Sequence, residues 1–291
     1  MSRLLPPAID AEECLIDLGS GDQMLCYQDA RGEGSPVVLL HSMNAAPSAA
    51  EVKPLFEAFR ASRPVLAPDL PGFGRSTRRD RPYTPAFYAQ AIERLVDSVA
   101  PRRVHLLALS TTSEFAARVA AERPEQVASL TIVSPTGLGS RTPPGEIASA
   151  RIHRFLRAPV VGASLYRVLR TRPSIRYFLA QSFHGAPPSE LVDYACRTTA
   201  QPGASLAPFY FLSGKMFAAD ALNSLYRAVG VPSLVVYDKD PHTGFERLPE
   251  LLDSSPHWRA VRIEGSAGLP HFDQPDATFS ALQTFWDEVP G

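Results

Sequence analysis

Val104-His-Leu-Leu-Ala-Leu-Ser110-Thr-Thr-Ser-Glu-Phe-Ala-Ala-Arg118 reads as a buried strand that turns abruptly into a helix, with a serine at the junction. The strand half is a short continuous apolar run, the pattern of a strand covered on both faces inside a parallel sheet. The helix half sets Phe115 and Val119 one turn apart among alanines. Ser110 then has two readings. Ser-x-x-Ser-Glu ahead of an apolar stripe is a helix-capping pattern, in which the hydroxyl accepts from a backbone N–H. Alternatively, a sharp turn exposes the hydroxyl as a nucleophile beside the free N–H groups of a helix N-terminus.

The flanking chain alternates strands and helices. Residues 13–18 and 24–28, separated by Gly19-Ser-Gly-Asp22, predict a hairpin. Pro36-Val-Val-Leu-Leu-His41 predicts a buried strand, 49–62 a helix, 64–69 a strand and 84–100 a helix with Pro85 in its first turn. After the Ser110 unit, 127–134 predicts a strand and 135–145 is rich in Pro and Gly. Residues 146–229 are helical and interrupted, with arginine-rich faces over 151–176. Strand 234–237, helix 245–252, strand 258–263 and helix 275–288 complete the series. This order implies an α/β fold, a doubly wound, mostly parallel sheet whose active residues lie at the carboxyl ends of the strands.

Several motifs together resemble the α/β-hydrolase superfamily. Ala108-Leu-Ser110-Thr-Thr112 matches the G-x-S-x-G nucleophile elbow without its glycines, and His41-Ser-Met-Asn-Ala-Ala-Pro47 occupies the place of the His-Gly-x oxyanion loop. Asp69-Leu-Pro-Gly-Phe-Gly-Arg-Ser76 is the most specific local match. The resemblance implies a hydrolase core over residues 1–136 and 230–291 and a helical cap insertion over 137–229. It also implies oxyanion donors at the N–H groups of Met43 and Thr111, each worth about 3 kcal/mol when correctly aimed. Asn44 offers a side-chain amide as a substitute. Read from the residues alone, Gly72 and Gly74 are turn formers and Asp69 a strand-end hydrogen-bond partner.

Chain order in the superfamily is Ser, then Asp, then His. Asp240 takes the place of the acid by register, with Asp238 a weaker candidate. In Gly265-Ser-Ala-Gly-Leu-Pro-His271-Phe-Asp-Gln-Pro275 the family position of the histidine falls on Gly268, and His271 comes three residues later. If position 268 alone reaches Ser110, the general base is missing, a loss of roughly 10⁶ in kcat in a serine protease. If the loop is displaced, His271 removes the proton from Ser110 while Asp240 fixes its tautomer. The sequence favours the second reading. His242 is an outside candidate; His41, His105, His153, His184 and His257 read as structural or surface residues.

The expected function is a serine hydrolase acting on an ester or related acyl bond of a small apolar substrate, with catalytic residues Ser110, Asp240 and His271 and no cofactor or metal. Two rivals remain: a non-hydrolytic enzyme of the same fold, such as a lyase or cyclase, and a non-catalytic ligand-binding relative. The 291 residues carry 45% hydrophobic and 20% charged side chains and a net charge of −1, so no overall field favours nucleic acid or an anionic membrane. Cys14, Cys26 and Cys196 lack metal or disulfide spacing and read as buried thiols. Neither a leader-like N-terminus nor a membrane-length apolar run is present in the sequence, so a cytoplasmic protein is expected.

Overall fold

A strand with apolar side chains on both faces needs cover on both, and the sheet supplies it at its centre. The structure, a computed structural model, describes residues 5–289. Its eight strands are β1 (Glu12–Gly19), β2 (Asp22–Asp29), β3 (Val37–Leu40), β4 (Val65–Pro68), β5 (Val104–Leu109), β6 (Val127–Val133), β7 (Ser233–Tyr237) and β8 (Trp258–Arg262). They stand in the order β1-β2-β4-β3-β5-β6-β7-β8. The β1–β2 and β2–β4 pairs are antiparallel and every later pair is parallel. β3, β5 and β6 are buried at every position, whereas the edge strand β1 alternates exposed and half-buried.

Helices α1 (Lys53–Phe59), α2 (Pro85–Asp97) and α3 (Thr112–Glu122) fall between the early strands. Six helices separate β6 from β7: α4 (Glu146–Leu156), α5 (Pro159–Leu169), α6 (Arg172–Ala180), α7 (Ser189–Thr199), α8 (Leu206–Leu212) and α9 (Ala221–Ser224). Then come α10 (Leu248–Ser254), α11 (Pro270–Asp273) and α12 (Pro275–Asp287). One face of the sheet packs on Tyr88 and Leu95 of α2 and Phe115 and Val119 of α3. The other packs on Phe56 of α1 and Leu282, Phe285 and Trp286 of α12. The layers are those of a doubly wound α/β protein.

Prolines account for most boundary differences. The stretch expected as one helix over 49–62 divides into a 3₁₀ turn, Ala49–Val52, and α1, because Pro54 has no N–H to continue a ladder and fits only a first turn. Pro249 likewise sets the start of α10 at Leu248. Of the three thiols, Cys26 is buried while Cys14 and Cys196 are only half-buried. Residues 1–4, part of the N-terminus read as lacking a leader, and residues 290–291 lie outside the described residues. Among the described residues no helix is long and apolar enough to cross a membrane.

The turn after β4 is built on Asp69. This fully buried carboxylate accepts from the N–H groups of Ala49 and Arg75, each at 2.8 Å. Gly74, with φ +48°, lies so close that a Cβ there would fall 1.9 Å from the Asp69 carboxyl carbon. Gly74→Ala therefore combines left-handed strain with displacement of a buried charge. A loss of more than about 2 kcal/mol is expected, read as a lower urea midpoint with an unchanged slope.

Candidate active site

The parallel register brings the ends of β5, β7 and β8 to one edge of the sheet, so Ser110, Asp240 and Gly268 all lie on the loops along that edge. Ser110 extends the ladder by donating its N–H to Val133 O at 2.9 Å, and the chain then reverses with φ +50°. A serine at positive φ is strained by about 1–3 kcal/mol and persists because β5 and α3 around it are fully packed. The capping reading is excluded: the N-cap position is Thr111, with no side-chain cap bond. Ser110 is a half-buried elbow residue.

Thr112 stands where the superfamily prefers glycine, and it has a use there. Its buried hydroxyl donates to the His41 carbonyl at 2.7 Å, tying the start of α3 to the loop after β3. His41 Nε2 accepts from Leu70 N–H at 2.9 Å, which leaves Nδ1–H to donate to Ser42 O at 2.7 Å. That ring is neutral and structural, its pKa lowered by burial. Ser42 N–H donates to Glu51 Oε2 at 2.9 Å. Asn44 Nδ2 donates to Ser42 Oγ and to Glu51 Oε1, both at 2.8 Å, so its amide hydrogens are spent inside the loop and it is no substitute oxyanion donor. Among the described residues the N–H groups of Met43 and Thr111 have no backbone acceptor.

Among the described residues no hydrogen bond joins Ser110, Asp240 and His271 to one another. His271 is fully buried on the one-turn helix α11, and its Nε2 lies 2.7 Å from the Glu51 carbonyl oxygen. A carbonyl only accepts, so Nε2 carries the proton, while Nδ1 is buried with no partner. A triad needs the opposite tautomer, with Nδ1–H on the acid and Nε2 free for the serine proton. In this arrangement the His271 ring is engaged with the Glu51 carbonyl rather than with Ser110 or Asp240. Burial pushes its pKa down to about 4, with the Glu51 carbonyl acting the other way.

Gly268 faces Asp240 instead. A Cβ on Gly268 would lie 2.9 Å from Asp240 Oδ2 and 3.4 Å from the Ser182 Cβ, and the residue does not have the positive φ that would demand glycine. Asp240 Oδ1 accepts from His242 N–H at 2.7 Å. Burial pushes Asp240 above the usual carboxylate range, partly countered by that N–H and by the nearby His242 ring. Asp238 is fully engaged: it accepts from Arg262 Nε at 2.8 Å and from Gly265 and Ser266 N–H at 3.0 and 3.3 Å. Although burial acts to raise its pKa, Arg262 and those amides hold it below its ordinary value.

A cleft of about 590 Å³ adjoins Asp240 and His242, and Glu114 and Thr136 also line it. Sequence reading missed Glu114, because the charge falls on the buried face of α3, where a carboxylate is not expected. It accepts from Thr136 Oγ1 at 2.5 Å and Ala218 N–H at 2.7 Å, joining α3 to the chain before α9. Among the described residues no group of three or more His, Cys, Asp or Glu is placed to hold a metal.

The Alpha/beta hydrolase family matches residues 37–281, and the chain belongs to that family. A serine hydrolase involved in carbazole degradation shares its fold at TM-score 0.75, with 16% identity over 95% of this chain and 98% of that one. The enol-lactonase from Burkholderia xenovorans LB400 gives TM-score 0.70, with 16% identity over 92% and 98% of the two chains. A segment of 111 residues is 34% identical to the dihydrolipoyllysine-residue acetyltransferase component of the acetoin cleaving system of Cupriavidus necator. That match covers 37% of this chain and 28% of the relative.

Burial raises the Glu114 pKa from 4.5 to about 7, against the two donors that favour the charged form. The folded state then holds this proton more tightly than the unfolded one, so its contribution to stability declines as pH rises from about 4.5 to 7, by about 3 kcal/mol in all. Glu114→Gln removes that term. The stability of the wild type minus that of the variant, from urea unfolding across this range, is expected to fall with pH. The buried histidines contribute equally to both proteins and cancel.

Proposed function

We propose that Ser110 and the N–H groups of Met43 and Thr111 form a binding site for the carbonyl group of a small, largely apolar acyl compound, and that the site works without an imidazole relay. The observation that carries this reading is the placement of His271 on the Glu51 carbonyl, with glycine at the position facing Asp240. The serine hydroxyl then polarises and orients the carbonyl but has no base to make it an efficient nucleophile. Oxyanion donors and binding by themselves leave about 10³–10⁴ over the reaction in water. The group left to move a proton is the Asp240 carboxylate, whose raised pKa suits it to take one from the bound compound. These parts fit a lyase- or cyclase-type step at an activated carbonyl better than turnover through an acyl-enzyme. The hydrolase and lactonase names of the fold neighbours support an acyl or carbonyl ligand.

A second reading rests on His242, the imidazole that shares the cleft with Asp240. In it, substrate binding draws that exposed ring toward Ser110, and hydrolysis follows.

Labelling by an alkyl fluorophosphonate separates the two. Slow labelling is expected, abolished in Ser110→Ala and unchanged in His271→Gln, whose amide keeps a donor for the Glu51 carbonyl. Gly268→His, whose Cβ would press on the free end of the Asp240 side chain, should accelerate labelling by about 10-fold or more. Brisk ester turnover that collapses in His271→Gln would sink the proposal. Turnover that collapses in His242→Ala would favour the second reading.

A further inference from the structure

The helices between β6 and β7 leave a face that the rest of the fold does not cover. In α4, Ile147, Arg151, Arg154 and Phe155 recur at the i, i+4, i+7, i+8 spacing of one helix side, away from buried Ser149 and Leu156. α5 repeats the arrangement with Val160, Ser164, Arg167 and Val168, away from buried Gly162 and Tyr166. α6 buries Ile175 and leaves Tyr177 and Phe178 outside, their rings 5.3 Å apart. Val160 is 79%, Ile147 73%, Val168 62% and Phe155 61% exposed. Single exposed apolar residues need no explanation, but a face on which they recur over packed neighbouring helices does.

The charge on these helices is one-sided. Glu146 is the one acidic residue in 146–180. Arg157 and Arg172 are paired, with Asp80 and Asp193. Arg151, Arg154, Arg167, Arg170 and Arg176 form no ion pair among the described residues. This cationic excess sits on a protein whose net charge is −1, so it is local.

We propose that this face docks on an anionic lipid surface, with α4 and α5 lying in the plane of the headgroups. Exposed aliphatic and aromatic side chains enter the acyl boundary, and arginine stems run along them so that the guanidinium groups meet lipid phosphates. A second copy of the chain fits badly, because pairing the face with itself brings like charges together in a water-poor interface. Nucleic acid would satisfy the arginines but leave the apolar side chains in water. The overall charge gave no reason to expect a membrane; the sorting of charge onto these helices does.

Binding is read without turnover, so the proposal stands or falls apart from the chemistry at Ser110. The protein is sedimented with vesicles of phosphatidylcholine alone and with vesicles of an equal mixture of phosphatidylcholine and phosphatidylglycerol. Partitioning into the mixed vesicles alone is expected. Each arginine near such a surface is worth roughly fivefold in binding, so replacing Arg151, Arg154 and Arg167 together by Gln should weaken it about a hundredfold. Replacing Phe155, Val160 and Val168 by Ser should leave an association seen only at low salt. All six side chains are on the exposed face, and circular dichroism checks that both variants fold. Equal partitioning into neutral vesicles, none into anionic ones, or wild-type binding by the arginine variant would overturn the proposal. So would tighter binding to polyglutamate than to the mixed vesicles, or concentration-dependent dimerisation abolished by the same substitutions.

Discussion

The structure turns on the reversal of chain direction at Ser110. β5 is buried on both faces and α3 must pack against it, so the link between them has no room for a loop. The chain therefore bends within one residue, and that residue takes a positive φ although it is not glycine. Packing on either side holds a conformation that the residue alone would avoid. One result is a hydroxyl at the carboxyl edge of the sheet, next to N–H groups at the start of a helix. The absence of the two usual glycines is absorbed locally. Ala108 fits within the strand, and Thr112 uses its extra bulk to hold the neighbouring loop through the His41 carbonyl.

The loop after β3 is held by one carboxylate. Glu51 gathers it: its two carboxylate oxygens hold Ser42 and Asn44, and its own carbonyl receives His271. Turning His271 toward the serine would abandon a buried carbonyl and require the other tautomer. An unsatisfied buried acceptor costs about 1–3 kcal/mol, and the present pose already leaves the ring's own Nδ1 without a partner. The positive φ of Ser110 recurs at Ser134, directly after β6, so the sheet edge holds two such reversals side by side.

Two buried carboxylates show how differently charge is handled on one scaffold. Asp69 is surrounded by N–H donors and secures a turn. Glu114 holds Thr136 and Ala218, and its pKa near 7 sits at the lining of a cleft that also reaches Asp240. The helical segment beyond it has the opposite habit, exposing arginines and apolar side chains together.

Much of the fold was legible in the residues themselves, since the continuous apolar runs of β3, β5 and β6, the 3.6-residue stripes of α2 and α3 and the Asp69–Ser76 turn are local signals with local causes. The assignment of Asp240 and Gly268 to their places comes from the resemblance to α/β-hydrolases and not from periodicity. Other features needed the folded chain. Whether Ser110 caps a helix or forms an elbow depends on its φ, which packing imposes. The direction in which His271 points depends on a carbonyl 220 residues away in the chain. The burial of Glu114, and the sorting of arginines and apolar side chains onto one side of α4 and α5, depend on which helix faces find cover. Periodicity records what a segment is able to bury; only the assembled neighbours determine what it does bury and which polar groups are left to meet one another.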